Sequence, residues 1–218
     1  MASVLTVNLA HPRPNPDKVH LITGIDKQPT ADAIAVRAPG PMHTGLGSGL
    51  VGDTIGDHQV HGGDDQAVYA YAREDLDEWQ IHLDRALTNG SFGENITTTG
   101  LEVTNALIGE RWQIGDGGPL LEVSEPRIPC RTFAAWLEIG GWVKTFTARA
   151  VPGAYLRVIA PGVLRAGASI TVVERPEHDV TVARVFRALT LEPDLLPSLL
   201  AAESLSDKIK ERVERRTG

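Results

Sequence analysis

One proline-rich segment carries the residues best suited to chemistry. Cys130 is the only cysteine among 218 residues, and Arg127 and Arg131 flank it. Nearby guanidinium groups favour the thiolate, which is the form of cysteine that attacks electrophiles and binds metals. An inert, buried thiol is the alternative, because free cysteines are often buried. Pro126 and Pro129 remove backbone donors, so we predict that this segment is neither helix interior nor central strand.

A second segment combines histidine, carboxylates and glycine. His61 precedes a glycine pair that begins at Gly62 and permits close backbone approach to a ligand. An imidazole can deliver a proton during bond cleavage, and Asp57 or Asp65 could orient its other nitrogen. The alternative is a histidine that caps a turn. His58 would point the other way if this run were a strand, so it is left out of the candidate site.

The third segment, GSFGENIT, ends at Thr97. Its glycines, Gly93 among them, allow backbone N–H groups to face an anion. Asn95 offers both a donor and an acceptor to the edge of a ligand, whereas Phe92 could pack on a ring or belong to the core. A simple β-turn is the alternative for the whole segment. Lys27 is a separate candidate anion contact, or else a surface lysine.

The composition is that of a soluble globular protein, with 42% hydrophobic and 22% charged residues. A net charge of −7 argues against a nucleic-acid polymer or an anionic membrane as partner. One cysteine excludes an internal disulfide and fits a reducing compartment. We find no signal peptide and no apolar run long enough to span a bilayer, so we expect a cytoplasmic protein.

The elements that must position these residues are mostly strands. Runs rich in β-branched residues, separated by Gly and Pro, predict a β-rich α+β domain over residues 1–175. We expect residues 24–29 and 33–37 to form a hairpin or close pair. Apolar residues at helical spacing predict helices over residues 73–87 and 133–142.

Beyond residue 175 the pattern is helical only. Short amphipathic helices are predicted over residues 181–188, 194–202 and 204–216, which makes 176–218 a C-terminal extension. Helices this short bury little by themselves, so they should dock on the strand domain or on another subunit. Docking on another subunit would make the protein a homodimer, and the sequence leaves this alternative undecided.

Four motifs together resemble the MOSC domain, a module shared with the C-terminal part of molybdenum-cofactor sulfurases. They are KQP from residue 27, VHGG from residue 60, GSFGENIT from residue 90 and PRIPC from residue 126. The helical tail resembles the three-helix extension of the YiiM-like branch. The resemblance implies a partly open β-barrel of the pyruvate-kinase type with peripheral helices. Through the sulfurases it also implies an association with pyridoxal-phosphate-family proteins.

The resemblance implies a molybdenum–pyranopterin cofactor, with Cys130 as the metal ligand. A soft thiolate suits such a centre, and the cofactor supplies the redox chemistry. His61 would donate protons, with Asp57 and Asp65 orienting it. The resemblance also implies a set of residues that contact the cofactor, and His61 belongs to this set as well. They are Lys27, His61, Gly62, Phe92, Gly93, Asn95, Thr97, Arg127 and Arg131.

The implied reaction is reduction of N-hydroxylated compounds, including hydroxylaminopurine-type bases, which is a detoxification. Electrons would come from a separate reductase, because the sequence has no flavin or haem motif, and one cysteine cannot hold an iron–sulfur cluster. The alternative is a non-catalytic carrier of cofactor or sulfur that uses Cys130 as a persulfide. A third hypothesis makes the helical tail an interaction module for a redox partner or second subunit.

Overall fold

The computed structural model describes residues 1–217, and the side chains of residues 1–216. Strands in this part of the chain are β1 Ser3–Ala10, β2 Arg13–Pro14, β3 Ile22–Thr23, β4 Lys27–Thr30, β5 Ile34–Val36, β6 Val68–Ala72, β7 Ile96–Thr99, β8 Arg111–Ile114, β9 Leu120–Pro126, β10 Ala154–Ala160, β11 Gly162–Leu164 and β12 Ile170–Glu174. The α-helices are α1 Arg73–Leu83, α2 Arg131–Leu137, α3 Trp142–Arg149, α4 Val182–Thr190 and α5 Asp207–Thr217. Short 3₁₀ segments occupy Asp64–Gln66, Val103–Asn105 and Pro193–Ala201.

Eight of the strands form one sheet in the order β12-β8-β9-β10-β6-β7-β1-β4. All neighbours are antiparallel except β6 and β7. A single bridge joins Ser3 to Ser169, but the sheet does not close into a barrel. The prediction of a β-rich α+β fold is confirmed, whereas the expected barrel is replaced by one large open sheet.

Strand β6 divides the interior into two parts. Its five residues are all buried, and their alternation sends successive side chains to opposite faces of the sheet. Val68, Ala70 and Ala72 join an aliphatic core that includes the C-terminal helices. Tyr69 and Tyr71 join an aromatic cluster on the other face, whose aromatic members are Tyr69, Tyr71, Trp79, Phe92, Phe133, Trp142, Phe146 and Phe186.

Two helical predictions needed correction. Helix α1 ends at Leu83 rather than near residue 87, because Asp84 takes a left-handed conformation with φ of 47°. The expected helix over 133–142 is α2, which begins at Arg131 and stops before Glu138 for the same reason. A further helix, α3, was not predicted, and its Trp142 is buried in the core.

The C-terminal extension packs on the sheet rather than standing apart. Helix α4 buries Val185 and Phe186, and its contacts include β9. The middle segment is a 3₁₀ helix with Pro197 inside it, since proline cannot donate the hydrogen bond that an α-helix requires. The expected helical tail is therefore present with one segment in 3₁₀ geometry. The division at residue 175 stays a prediction.

Two predictions about strands were wrong. Strand β4 pairs with β1, and β5 pairs with β11, so residues 24–29 and 33–37 are not partners. Sequence adjacency favours a hairpin, but the tertiary fold gives each strand a distant partner. Strand β9 continues through Pro126, which lies opposite Ala154, so the irregular segment before Cys130 is shorter than expected. No helix within residues 1–217 is both long and apolar enough to cross a membrane.

Candidate functional site

A cavity of about 320 Å³ lies where the three predicted segments meet. It is open to solvent on one side, and its wall includes both backbone and side-chain groups from distant parts of the chain. The predicted site residues that line it are Lys27, Asp57, His61, Gly62, Gly93, Asn95, Arg127, Cys130 and Arg131. The structure therefore brings together residues that are separated by more than 100 positions in the sequence.

Cys130 stands between the end of β9 and the start of α2, at the residue immediately before that helix. Its side chain is half-buried, lines the cavity and packs on the aromatic cluster. The thiol is thus neither sealed in the core nor free on the surface. It is placed to contact a ligand that enters the cavity.

Arg127 is a buried cation in the cavity wall. Its guanidinium lies 3.8 Å from the ring centre of Phe133 and 5.2 Å from that of Tyr69, and it donates to the Phe92 carbonyl. The residue is only 7% exposed. No carboxylate in the described part of the chain is paired with it. Burying a charge without a counter-charge is unfavourable, so this wall favours an anionic ligand.

Arg131 differs from Arg127 although both flank the cysteine. Its side chain is 85% exposed and forms an ion pair of 2.9 Å with Asp17. A second rim pair joins Lys18 to Asp57 at 2.8 Å. These pairs tie residues 13–23, which contain β2 and β3, to the loop that carries His61 and to the first residue of α2, next to Cys130.

The lining residues that sequence reasoning missed come mainly from this 13–23 segment and from the strands. The prolines at positions 12, 14 and 16 predict only a loop over residues 11–17, and no chemical motif marks this segment. Register in the sheet decides which strand residues face the cavity, and one sequence does not reveal it. The missed polar residues are Asn15, Asp17, Lys18, Thr23, Thr54, Gln66, Tyr69, Thr132 and Tyr155.

His61 lines the cavity as a neutral imidazole at neutral pH. Burial and the charge of Arg127 lower its pKa to about 4, against the smaller opposing effect of Asp57. The Asp57 carboxylate instead pairs with Lys18. The Asp65 carboxylate pairs with Arg157 at 2.5 Å and does not line the cavity. Within residues 1–217, neither acid is hydrogen-bonded to the imidazole, which corrects the role predicted for both.

The predicted glycines are required by packing of the protein on itself. Gly62 has φ of +87°, and a Cβ there would lie 2.8 Å from the Gly47 carbonyl oxygen. Gly93 has φ of +77°, and a Cβ there would lie 3.1 Å from Ile25. Both still line the cavity, so their backbone atoms remain accessible to a ligand.

Lys27 and Asn95 are held by a buried carboxylate that sequence reasoning overlooked. Asp53 accepts from the Lys27 ammonium at 2.5 Å, from the Asn95 amide at 2.9 Å and from the Ser48 hydroxyl at 2.7 Å. Burial alone would raise the pKa of Asp53, but Lys27 and these hydrogen bonds hold it below its usual range. The only sequence signal was a single acid at the end of a glycine-rich run.

Phe92 and Thr97 lie behind the cavity wall and do not line it. Phe92 is fully buried in the aromatic cluster, 5.2 Å from the ring centre of Phe133. The Thr97 hydroxyl donates to Glu94 and accepts from the Asn8 amide. Their predicted contact with a cofactor is corrected, because both side chains face inward.

The donor set around the cavity is suited to a metal that brings its own ligands. Within residues 1–217, no three His, Cys, Asp or Glu side chains are grouped so as to hold a bare ion. Cys130 offers one soft sulfur, and Arg127 offers an uncompensated positive charge to an anion. These residues fit an anionic cofactor whose metal needs a single protein thiolate.

Comparison with known proteins identifies the family. The model of the MOSC domain matches residues 57–171, just over half of the chain. YflK of Bacillus subtilis is 32% identical over 83% of this chain and 77% of its own length. YiiM of Escherichia coli is 31% identical over 77% and 76%, respectively. The crystal structure of YiiM from Geobacillus stearothermophilus superimposes over 100% of both chains with a TM-score of 0.79 and 26% identity.

A more distant relative has a name that refers to chemistry. A protein called "Reductase" from Gibberella moniliformis is 31% identical over 68% of this chain, which corresponds to 27% of its own length. None of these relatives supports the expected association with pyridoxal-phosphate proteins. The domain match and the full-length similarity to YiiM establish that the chain belongs to the MOSC family, where it groups with the YiiM-like proteins.

Proposed function

We propose that the cavity binds a molybdenum–pyranopterin cofactor and that the protein uses it to reduce N-hydroxylated compounds such as hydroxylaminopurine-type bases. The observation that carries this proposal is the pairing of the half-buried Cys130 thiol with the buried, uncompensated charge of Arg127 in one cavity. Membership of the MOSC family, which is associated with this cofactor, supports it. The reductase-named relative supports the direction of the reaction.

The residues present fit the cofactor. Cys130 would supply the protein thiolate to molybdenum, and Arg127 would neutralise an anionic group. The backbone of Gly62 and Gly93 would approach it closely. Lys27 and Asn95 would line another part of the cavity while they stay bound to Asp53.

The cofactor, when bound, supplies two-electron redox chemistry at the metal. The overall reaction converts R–NHOH, two electrons and two protons into R–NH₂ and water, so the N–O bond breaks and its oxygen leaves as water. The electrons come from a separate reductase. His61 lines the cavity, and a neighbouring anionic group would raise the pKa of its imidazole and allow it to hold a proton for transfer.

Metal content tests the binding half of this proposal. Protein from cofactor-replete cells should contain molybdenum in stoichiometric amount, and Cys130→Ser should lose it. The matched control is Ser91→Ala, which changes a hydroxyl outside the cavity lining and should retain the metal. Equal molybdenum content in wild type and Cys130→Ser would refute the ligand role of Cys130.

Turnover tests the catalytic half. Wild-type protein with a chemical reductant should convert hydroxylaminopurine to aminopurine, and protein from molybdate-starved cells should not. If the loaded protein binds the metal but shows no conversion, catalysis is refuted. Mass spectrometry would then distinguish the carrier alternative, in which Cys130 gains the mass of one sulfur atom as a persulfide.

A further inference from the structure

A buried chain of hydrogen bonds connects the C-terminal extension to the loop that carries His61. The Gly62 N–H donates to Gln66 Oε1 at 3.2 Å. Gln66 Nε2 donates to Glu125 Oε1 at 2.6 Å. The Ser206 hydroxyl donates to Glu125 Oε2 at 2.5 Å. Three consecutive bonds therefore run from the residue before α5 to the residue after His61.

Burial and the donor and acceptor types of the side chains fix the direction of these hydrogen bonds. Gln66, Glu125 and Ser206 are each at most 9% exposed, so water does not readily replace a lost partner. Both Glu125 oxygens accept hydrogen bonds, so the Gln66 amide presents its N–H₂ to this carboxyl group. The amide oxygen is then directed to Gly62. The orientation of one amide thus depends on the carboxylate that Ser206 holds.

Helix α5 also has an electrostatic effect on the loop that carries His61. Lys208 lies in the first turn of α5, two residues after Ser206. Its positive charge contributes to the lowered pKa of His61, after burial and Arg127, and it also acts on Glu125. A helix that is remote in sequence is therefore near the imidazole in space.

We propose that helix α5 is part of the candidate active site, and that Ser206, Glu125 and Gln66 are positioning residues for His61. Without the Ser206 hydroxyl, one oxygen of Glu125 is left buried with no donor, which favours a shift of that carboxylate. Gln66 then loses the fixed partner that directs its oxygen to Gly62. The extension acts through this relay on the cavity wall, and its bearing on turnover rests on the function proposed above.

Amide hydrogen exchange measured by NMR on the full chain tests the relay without any cofactor. In Ser206→Ala, exchange of the Gly62 amide should accelerate about threefold to tenfold, which corresponds to the loss of one supported hydrogen bond. Ser206→Thr keeps the hydroxyl and should restore slow exchange. Ser198→Ala is the matched control, because it removes a hydroxyl that bonds within the extension, to the Leu195 carbonyl. Unchanged Gly62 exchange in folded Ser206→Ala overturns the proposal.

Lys208→Gln provides a second test that does not depend on a buried substitution. Lys208 is exposed, so the variant should fold, and removal of its charge should raise the pKa of His61 in an NMR titration. If Ser206→Ala fails to fold and Lys208→Gln leaves that pKa unchanged, the proposal is overturned.

Kinetics on the loaded protein separate this inference from the proposed function. Ser206→Ala should lower kcat about threefold to tenfold with little change in KM, because it disturbs a positioned group rather than substrate binding. A wild type without reductase activity, combined with the expected exchange results, would refute the proposed function and leave the relay intact. Normal wild-type activity, combined with unchanged exchange of the Gly62 amide in Ser206→Ala, would refute the relay and leave the proposed function intact.

Discussion

The two walls of the cavity differ in how their polar groups are satisfied. In the Asp53 wall, formed by Lys27 and Asn95, both side chains are bound to the buried Asp53 carboxylate. In the Cys130 wall, formed by Cys130, His61 and Arg127, the cation has no carboxylate partner within residues 1–217. The polar groups of the Asp53 wall are bound to each other, whereas those of the Cys130 wall are available to a ligand in the cavity.

This difference distinguishes polar residues that stabilise the fold from polar residues that are available to bind a ligand. A buried ion pair that is also hydrogen-bonded fixes geometry, and removal of one partner leaves an uncompensated charge. A buried cation without a partner is unfavourable until a ligand supplies the anion. We therefore expect substitutions in the Asp53 wall to reduce stability, and substitutions in the Cys130 wall to reduce binding.

The largest effect is expected for Asp53→Asn. The change leaves the Lys27 ammonium buried without its counter-charge, so the free energy of unfolding should fall by about 3–5 kcal/mol. Urea denaturation followed by circular dichroism measures it. Ser48→Ala removes only one hydrogen bond to the same carboxylate and should cost about 1 kcal/mol. A loss below that of Ser48→Ala would show that Lys27 does not depend on Asp53.

Arg127→Met should mainly affect affinity. Truncating one member of a buried charge pair weakens binding by about 2–4 kcal/mol, or roughly 30-fold to 1,000-fold, and here the other member is the anionic ligand. Retention of pterin and molybdenum on purified protein measures the loss. The free energy of unfolding should change by less than about 2 kcal/mol, since only the ring contacts and one hydrogen bond disappear.

Arg131→Met is the matched control for that experiment. Arg131 flanks the same cysteine, but its side chain is 85% exposed and paired with Asp17. Its removal should leave cofactor retention within about threefold of wild type, because exposed charges are screened by solvent. Equal losses in the two variants would show that the two arginines act alike and would remove the contrast between buried and exposed charge.

The same contrast explains what the sequence could and could not predict. The motifs around Cys130, His61 and Asn95 predicted segments that do converge, because their residue types are unusual and closely spaced. They did not predict that Asp53 engages Lys27 and Asn95, since that pairing depends on chain segments 26 and 42 residues apart. Phe92 was ambiguous for a related reason. An aromatic residue suits a core as well as a ligand, and only the fold places it among Tyr71, Phe133 and Trp142.

Strand pairing was limited in the same way. Runs rich in β-branched residues, separated by Gly and Pro, predicted a β-rich domain but not which strands pair. The pairing of β5 with β11 joins segments more than 120 residues apart, which no local pattern encodes. Helix ends were also missed where a non-glycine residue such as Asp84 or Glu138 adopts the left-handed conformation.

The pH dependence of stability should reveal the half-buried imidazole of His61. The pKa of His61 is about 4 in the folded protein and 6.5 in a model compound, so the unfolded chain takes up a proton first as the pH falls. The stabilising contribution is present above pH 6.5 and is lost toward pH 4, by up to about 3 kcal/mol. Urea denaturation of wild type and His61→Gln across this range measures the difference, and the variant should have the flatter profile.

His58→Gln is the control for this titration. His58 lies three residues away and does not line the cavity. If His61→Gln and wild type lose stability in parallel between pH 6.5 and pH 4, the imidazole is solvated and the Cys130 wall is more open than its geometry indicates.

The smallest effect is expected at the rim, where Asp17→Asn breaks the ion pair with Arg131. The Arg131 side chain is 85% exposed although that of Asp17 is only 12% exposed, so solvent screens the pair from one side and the free energy of unfolding should change by less than about 1 kcal/mol. The same urea experiment measures it, with and without added salt. A loss above about 1 kcal/mol that disappears in salt would show that residues 13–23 are held over the cavity by charge. The polar groups at the cavity entrance would then resemble those of the Asp53 wall, because they too would be bound to other groups of the protein and would stabilise the fold.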